Sequence, residues 1–144
     1  MTATMGRRES SMSVHVHLFK SKIHRATVTH ADQDYEGSVT ISGELMDAAE
    51  ILEHEQVHVW NVTRGTRLTT YAIRGENHSG VVCVNGAAAH HAGPGDKVIL
   101  ATFAEVPVDE TQHWQPKVIL VDQQNRVADD AYAETAGPKR VSHA

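Results

Sequence analysis

Glycine followed by serine, at Gly37-Ser38, is the pair whose types could remake the backbone itself. Glycine reaches backbone angles closed to other residues, so the peptide it forms can be held under strain. The serine hydroxyl can then attack the carbonyl carbon just before it and move the chain from nitrogen to oxygen. β-Elimination of that ester would release the preceding segment and leave a ketone on a new N-terminus. A lone Gly-Ser is ordinary turn chemistry, so its surroundings decide. Tyr35-Glu36 precedes it and the alternation Val39-Thr40-Ile41 follows, which puts the pair at the start of a strand.

The 144 residues are enough for one domain with a core of its own. Apolar residues make up 40% and aromatics 5%, a modest globular core. No apolar run approaches the roughly 18 residues of a spanning helix, so no membrane association is expected. Residues 1–13 are polar, lack the apolar stretch of a signal peptide, and are expected to be a disordered extension. A cytoplasmic location is the expectation that follows. The formal charge of −5, with no basic run, argues against nucleic acid as a partner. Cys83 is the only cysteine, so no intrachain disulfide and no cysteine-based zinc cage can form. Within Val81-Val82-Cys83-Val84 it is expected to be a buried, inert thiol.

Eleven histidines are unusual for this length. His15 and His17 alternate along an expected strand and would share a face, as two metal ligands could. The others are scattered without an HExxH-type spacing. They read as titratable surface groups, and no metal site is expected.

Most of the chain reads as strands able to position such a site. Val14-x-Val16-x-Leu18 alternates at period two, Lys20–Arg25 follows, polar on one face, and Ala26–Thr29 continues as strand. Ala31–Asp34 reads as a turn. After Val39-Thr40-Ile41, Ser42 is placed to cap a helix carrying Leu45, Met46, Ala48, Ala49, Ile51 and Leu52 at helical spacing. Val57–Val62 and Arg67–Ile73 form a hairpin around Thr63-Arg64-Gly65-Thr66. Gly80–Val84 is a strand ended by Asn85-Gly86, and Ala87–His91 is a short helical turn. Lys97–Ala104 and Lys117–Asp122 are strands flanking a loop with Trp114. Residues 129–144 form a polar tail not expected to pack. Seven or so short strands with two short helices indicate a small, mainly β, closed barrel over residues 14–128.

Seven motifs then occur in order: Lys22-x-His24-Arg25, Val28-Thr29-His30-Ala31-Asp32, Tyr35-Glu36-Gly37-Ser38, Trp60-Asn61-Val62-Thr63, Thr70-Tyr71-Ala72-Ile73, Val84-Asn85-Gly86-Ala87-Ala88-Ala89-His90 and Gly95-Asp96-x-Val98-Ile99. Across about residues 16 to 122 the chain resembles the pyruvoyl-dependent aspartate decarboxylases, which make β-alanine for pantothenate. The resemblance implies a double-psi β-barrel and a homotetramer with active sites between subunits. It implies an inactive proenzyme that cuts itself between Gly37 and Ser38, giving a β chain 1–37 and an α chain 38–144 headed by a pyruvoyl group made from Ser38.

The chemistry accounts for that conversion. An α-amino acid loses CO₂ readily only if the carbanion can delocalise, and a ketone that forms an imine with the substrate amine is the electron sink. By resemblance, Thr70 bonds the Gly37 carbonyl oxygen during self-cutting, a donor aimed at a developing oxyanion. Tyr71 is the proton donor after CO₂ leaves. Lys22 and Arg67 hold the two carboxylates of L-aspartate, in either assignment. Asn85, Gly86, Ala87 and Ala88 surround the substrate, and His24, Tyr35, Trp60 and Ile99 line the pocket or its edge. A maturation helper stays open as a partner.

Two other classes compete. A serine hydrolase needs a nucleophile elbow, but Glu36-Gly37-Ser38-Val39-Thr40 lacks the second glycine of G-x-S-x-G. A non-catalytic binding barrel, like the hydrolase, would remain one unbroken chain. Thr70 and Tyr71 are adjacent on one expected strand and so face opposite ways, and sharing one pocket would require a local distortion.

Overall fold

The computed structural model describes residues 14–34 and 37–138. The segment 1–13 expected to be disordered, Tyr35 and Glu36, and the tail residues 139–144 lie outside the described residues. The elements are β1 (His15–Thr27), β2 (His30–Asp32), β3 (Ser38–Ser42), α1 (Gly43–Ala49), β4 (Gln56–Asn61), β5 (Arg67–Gly75), β6 (Val82–Asn85), β7 (Lys97–Pro107), β8 (Lys117–Val121) and β9 (Val127–Asp129). Two 3₁₀ turns, Gly86–His91 and Val108–Glu110, complete them.

The strands form one sheet in the order β2-β6-β3-β5-β4-β7-β1-β8-β9. Three pairs are parallel, β1 with β8, β2 with β6 and β3 with β5, and the rest are antiparallel. This is the mainly β, mixed-pairing architecture of the double-psi β-barrel. Alternation fills the interior: Val39 and Ile41 of β3, Val57 and Val59 of β4, and Val98 and Leu100 of β7 are buried. Helix α1 adds Leu45, Met46 and Ala49 to the same core.

Several local expectations are corrected. There are more strands than seven among the described residues, and β1 and β7 run 13 and 11 residues. Bulges interrupt the ladder within β1: the register with β7 shifts between Phe19 and Ser21 and between Ile23 and Ala26, and Arg25 takes φ 63°. His30–Asp32 is a strand, not part of a turn, because β6 supplies it with a parallel partner. The helix stops at Ala49, since Glu50 is left-handed and its amide and that of Ile51 close on Asp47 and Met46. Leu52 is therefore 70% exposed. Ser42 precedes the helix, but its hydroxyl donates to Glu44 Oε1 rather than accepting from a helix amide.

A buried polar cluster ties the β4–β5 hairpin to the loop before β7. Asp96 Oδ2 accepts from Arg64 Nε at 2.6 Å, Asn61 Nδ2 at 2.9 Å and the Gly93 amide at 2.9 Å. Asn61 Nδ2 also donates to the His91 carbonyl, and Asn61 Oδ1 accepts from the Arg64 amide in the turn. The stretch Asn85–Ala88 enters this loop, so the cluster fixes the loop's far end. Burial alone would raise the Asp96 pKa, but the bonds from Gly93, Asn61 and Arg64 outweigh it and hold the carboxyl below its ordinary value.

Replacing Asp96 by Ala leaves three donors without their acceptor, and we expect a loss of about 2–3 kcal/mol in denaturant unfolding. Because the folded pKa is depressed, this stabilisation is present above the unfolded value near pH 4 and is lost as pH falls through the folded one. Wild type should lose stability over that acid range more steeply than Asp96→Ala.

Candidate functional site

Strand β3 is the origin of the site because it lies between β6 and β5. On one side Ser38 pairs with Asn85 in the antiparallel β3–β6 ladder. On the other, the parallel β3–β5 ladder opens with Val39 opposite Ala72. Continuing that register back by one residue would set Ser38 level with Tyr71, and by two residues Gly37 with Thr70. Asn85 thus flanks Ser38 on one side, and the strand carrying Thr70 and Tyr71 is the neighbour on the other.

Ser38 is 3% exposed, and its hydroxyl accepts from Asn85 Nδ2 at 3.5 Å. The same nitrogen donates to Thr40 Oγ1 at 3.4 Å, while Asn85 Oδ1 accepts from Cys83 Sγ at 3.0 Å. Cys83 is not a core residue as expected: it is half-buried and lines a groove of about 580 Å³ with Thr29, His30, Asp32, Thr40 and Asn85. Its alternation partners Val82 and Val84 face the core, which turns Cys83 outward. Burial and the Asp32 carboxylate push its thiol pKa up, so it remains a protonated donor. Beyond Asn85, Gly86 is buried at φ 70° and opens the 3₁₀ turn in which Ala87 is exposed and Ala88 packs on the core.

A Cβ built on Gly37 would meet nothing within 4 Å among the described residues beyond its chain neighbours. There is no distortion between Thr70 and Tyr71. The β4–β5 register runs without a shift from Trp60↔Arg67 to Gln56↔Tyr71. Thr70 therefore faces with Leu68 and Ala72, and Tyr71 faces outward with Arg67 and Thr69, 37% exposed and 6.3 Å from the His54 ring.

The remaining expected residues gather elsewhere. Lys22 and His24 share the outer face of β1, four strands from β3 in the sheet order. Arg67 stacks on Trp60, its guanidinium carbon 5.1 Å from the ring centroid. Ile99 pairs with Trp60 across β4 and β7. Between Lys22 and Arg67 runs a band of rings that sequence reasoning missed. Lys22 Nζ lies 5.7 Å over Phe19, Phe19 meets Phe103 at 6.1 Å, and Phe103 meets His58 at 5.3 Å and Trp60 at 6.4 Å. Only the pairing of β1, β7 and β4 makes the band, so no short sequence window contains it.

His24 is held neutral at physiological pH: burial lowers its pKa, and Lys22 and Arg25 lower it further against a smaller opposing effect of Glu134. Its Nδ1 is buried without a hydrogen-bond partner. Lys22 itself ion-pairs at 2.7 Å with Glu134, from the segment expected not to pack. One chain therefore supplies two groups of candidate residues. The first is Gly37, Ser38, Thr70, Tyr71 and Asn85–Ala88. The second is Lys22, His24, Trp60 and Arg67.

Comparison with known proteins identifies the relatives of this chain. The family model described as aspartate decarboxylase matches residues 14–128. An aspartate 1-decarboxylase of Myxococcus xanthus is 62% identical over 125 residues, covering 87% of this chain and 96% of that protein. Aspartate 1-decarboxylases of Legionella pneumophila (strain Lens) and Acinetobacter baylyi are 57% and 56% identical over 110 residues, each covering 76% of this chain, and 83% and 87% of those proteins. With the family model matching residues 14–128 and a relative 62% identical over 87% of the chain, this protein belongs to the aspartate decarboxylase family.

Proposed function

We propose that this chain decarboxylates L-aspartate to β-alanine and CO₂ with a pyruvoyl group made from its own Ser38, supplying pantothenate in the cytoplasm. The observation that carries the reading is Ser38, buried and bonded to Asn85 of β6, at the head of a strand whose other neighbour is β5, the strand of Thr70 and Tyr71.

In self-cutting, Ser38 Oγ bonds to the Gly37 carbonyl carbon and the Gly37–Ser38 C–N bond breaks, giving an ester. Thr70 donates to the carbonyl oxygen as charge builds on it. Loss of the Ser38 Cα proton expels the Gly37 carboxylate, and water then replaces the nitrogen, which leaves as ammonia. The pocket suits the resulting group, since Ser38 is buried yet has the Asn85 amide beside it. When present, the ketone supplies the electron sink that lets the substrate lose CO₂.

The chain's own side chains do the rest. Lys22 and Arg67 bind the two carboxylates, Arg67 by its planar fork with Trp60 behind it. Neutral His24 borders the site without adding charge. Asn85 and the amides of Ala87 and Ala88 hold the substrate's polar atoms. The Tyr71 hydroxyl gives its proton to the substrate carbon that has lost CO₂.

The separation of the two residue groups supports a homotetramer. The outer band with half-exposed Phe103 is an apolar surface suited to a second copy. Such a copy would bring its Lys22, His24, Trp60 and Arg67 to this chain's Ser38. A need for a maturation helper belongs to the same reading, as a step before activity.

Ser38→Ala is expected to give a folded, uncut chain without β-alanine formation; any β-alanine above background contradicts the assignment. Thr70→Val should slow self-cutting by about 10²-fold or more with little change in unfolding midpoint, in line with loss of an oxyanion donor. Normal maturation would remove Thr70 from that role. Tyr71→Phe should cut normally but turn over about 10²-fold more slowly, followed by stopped assays of β-alanine; unchanged turnover would exclude it.

A further inference from the structure

The tail residue Glu134 makes the contact that a substrate carboxylate would make. Its Oε2 lies 2.7 Å from Lys22 Nζ, and the lysine side chain is 12% exposed against 53% for the glutamate. The contact spans 112 residues of sequence, so tertiary structure makes it and not local chain geometry. Lys22 pairs level with Val118 of β8, and the tail runs beside the start of that strand. A groove of about 370 Å³ there is lined by Lys117, Val118, Asp130, Tyr132 and Glu134. The lysine is thus covered by Phe19 on one side and neutralised by a tethered carboxylate on the other.

We propose that Glu134 is a built-in competitor for the substrate's carboxylate, so that the tail must leave Lys22 before aspartate binds. This rests on the reading of Lys22 as a carboxylate-binding residue. A carboxylate on the same chain needs no free concentration to compete, while its half-exposed position keeps the pair weak enough to open. A binding-competent state that is only partly populated weakens apparent affinity by its population and leaves the chemical step alone. Glu134 touches none of the reacting groups, and its effect belongs in KM and not in kcat. Removing it also restores one unit of positive charge where a dianionic diacid approaches.

The test uses the matured wild-type protein with Glu134→Ala and Glu134→Gln. β-Alanine formation is followed across aspartate concentrations, and inhibition by succinate, a diacid without the reacting amine, is measured alongside. Both variants are expected to lower the aspartate KM and the succinate inhibition constant by about two- to five-fold, the scale of a partly exposed ion pair, with kcat unchanged. If wild type is active but both constants stay unmoved, or if kcat changes in their place, the competitor role is overturned while the decarboxylase reading stands. If matured wild type makes no β-alanine, that reading fails and this inference falls with it.

Discussion

The position of β3 between an antiparallel and a parallel neighbour is the constraint on which the site depends. An antiparallel partner alone would fix Ser38 against Asn85 and leave the other edge of the peptide to solvent. The parallel ladder with β5 occupies that edge, opening with Val39 opposite Ala72, next along the chain from Thr70 and Tyr71. Parallel strands need a crossover, and the path through α1 and β4 provides it. Buried Val39 and Ile41 lock the register, since a slip of one residue would turn both out of the core and carry Ser38 to the opposite face.

The adjacency of Thr70 and Tyr71 becomes useful in this light. On a regular strand they project to opposite faces, Thr70 with partly buried Leu68 and buried Ala72, and Tyr71 with exposed Arg67 and Thr69. The two proposed roles, polarising a carbonyl during maturation and delivering a proton during turnover, fall at different times and need no common face. The cations lie on the outer surface at either end of a ring cluster. A second copy is the simplest way to combine them with Ser38, and the same apolar surface that needs covering carries the residues the site lacks.

Much of this was legible in the sequence, for identifiable reasons. Period-two alternation located β3, β4, β5 and β7, and the Asn61–Thr66 hydrogen bond closes the hairpin where Thr63–Thr66 was read as a turn. Gly86 carries the positive φ that ends β6. What alternation cannot register is a bulge, and β1 carries two. Helical spacing ran on past Ala49 because Ile51 is buried, although its burial comes after the left-handed residue that ends the helix. Cys83 was misplaced because an unbroken apolar run hides which residues face out. The Asp96 cluster, the ring band and the Glu134–Lys22 pair join residues far apart in sequence, and composition carries no trace of such contacts.

The central claim is that the chain makes its own carbonyl from Ser38, and denaturing mass spectrometry of the purified protein tests it most directly. The account predicts two fragments, residues 1–37 and 38–144, the larger lighter by one ammonia than its serine form and resistant to N-terminal sequencing. A single species at the full 15.8 kDa that never divides on prolonged incubation would contradict it.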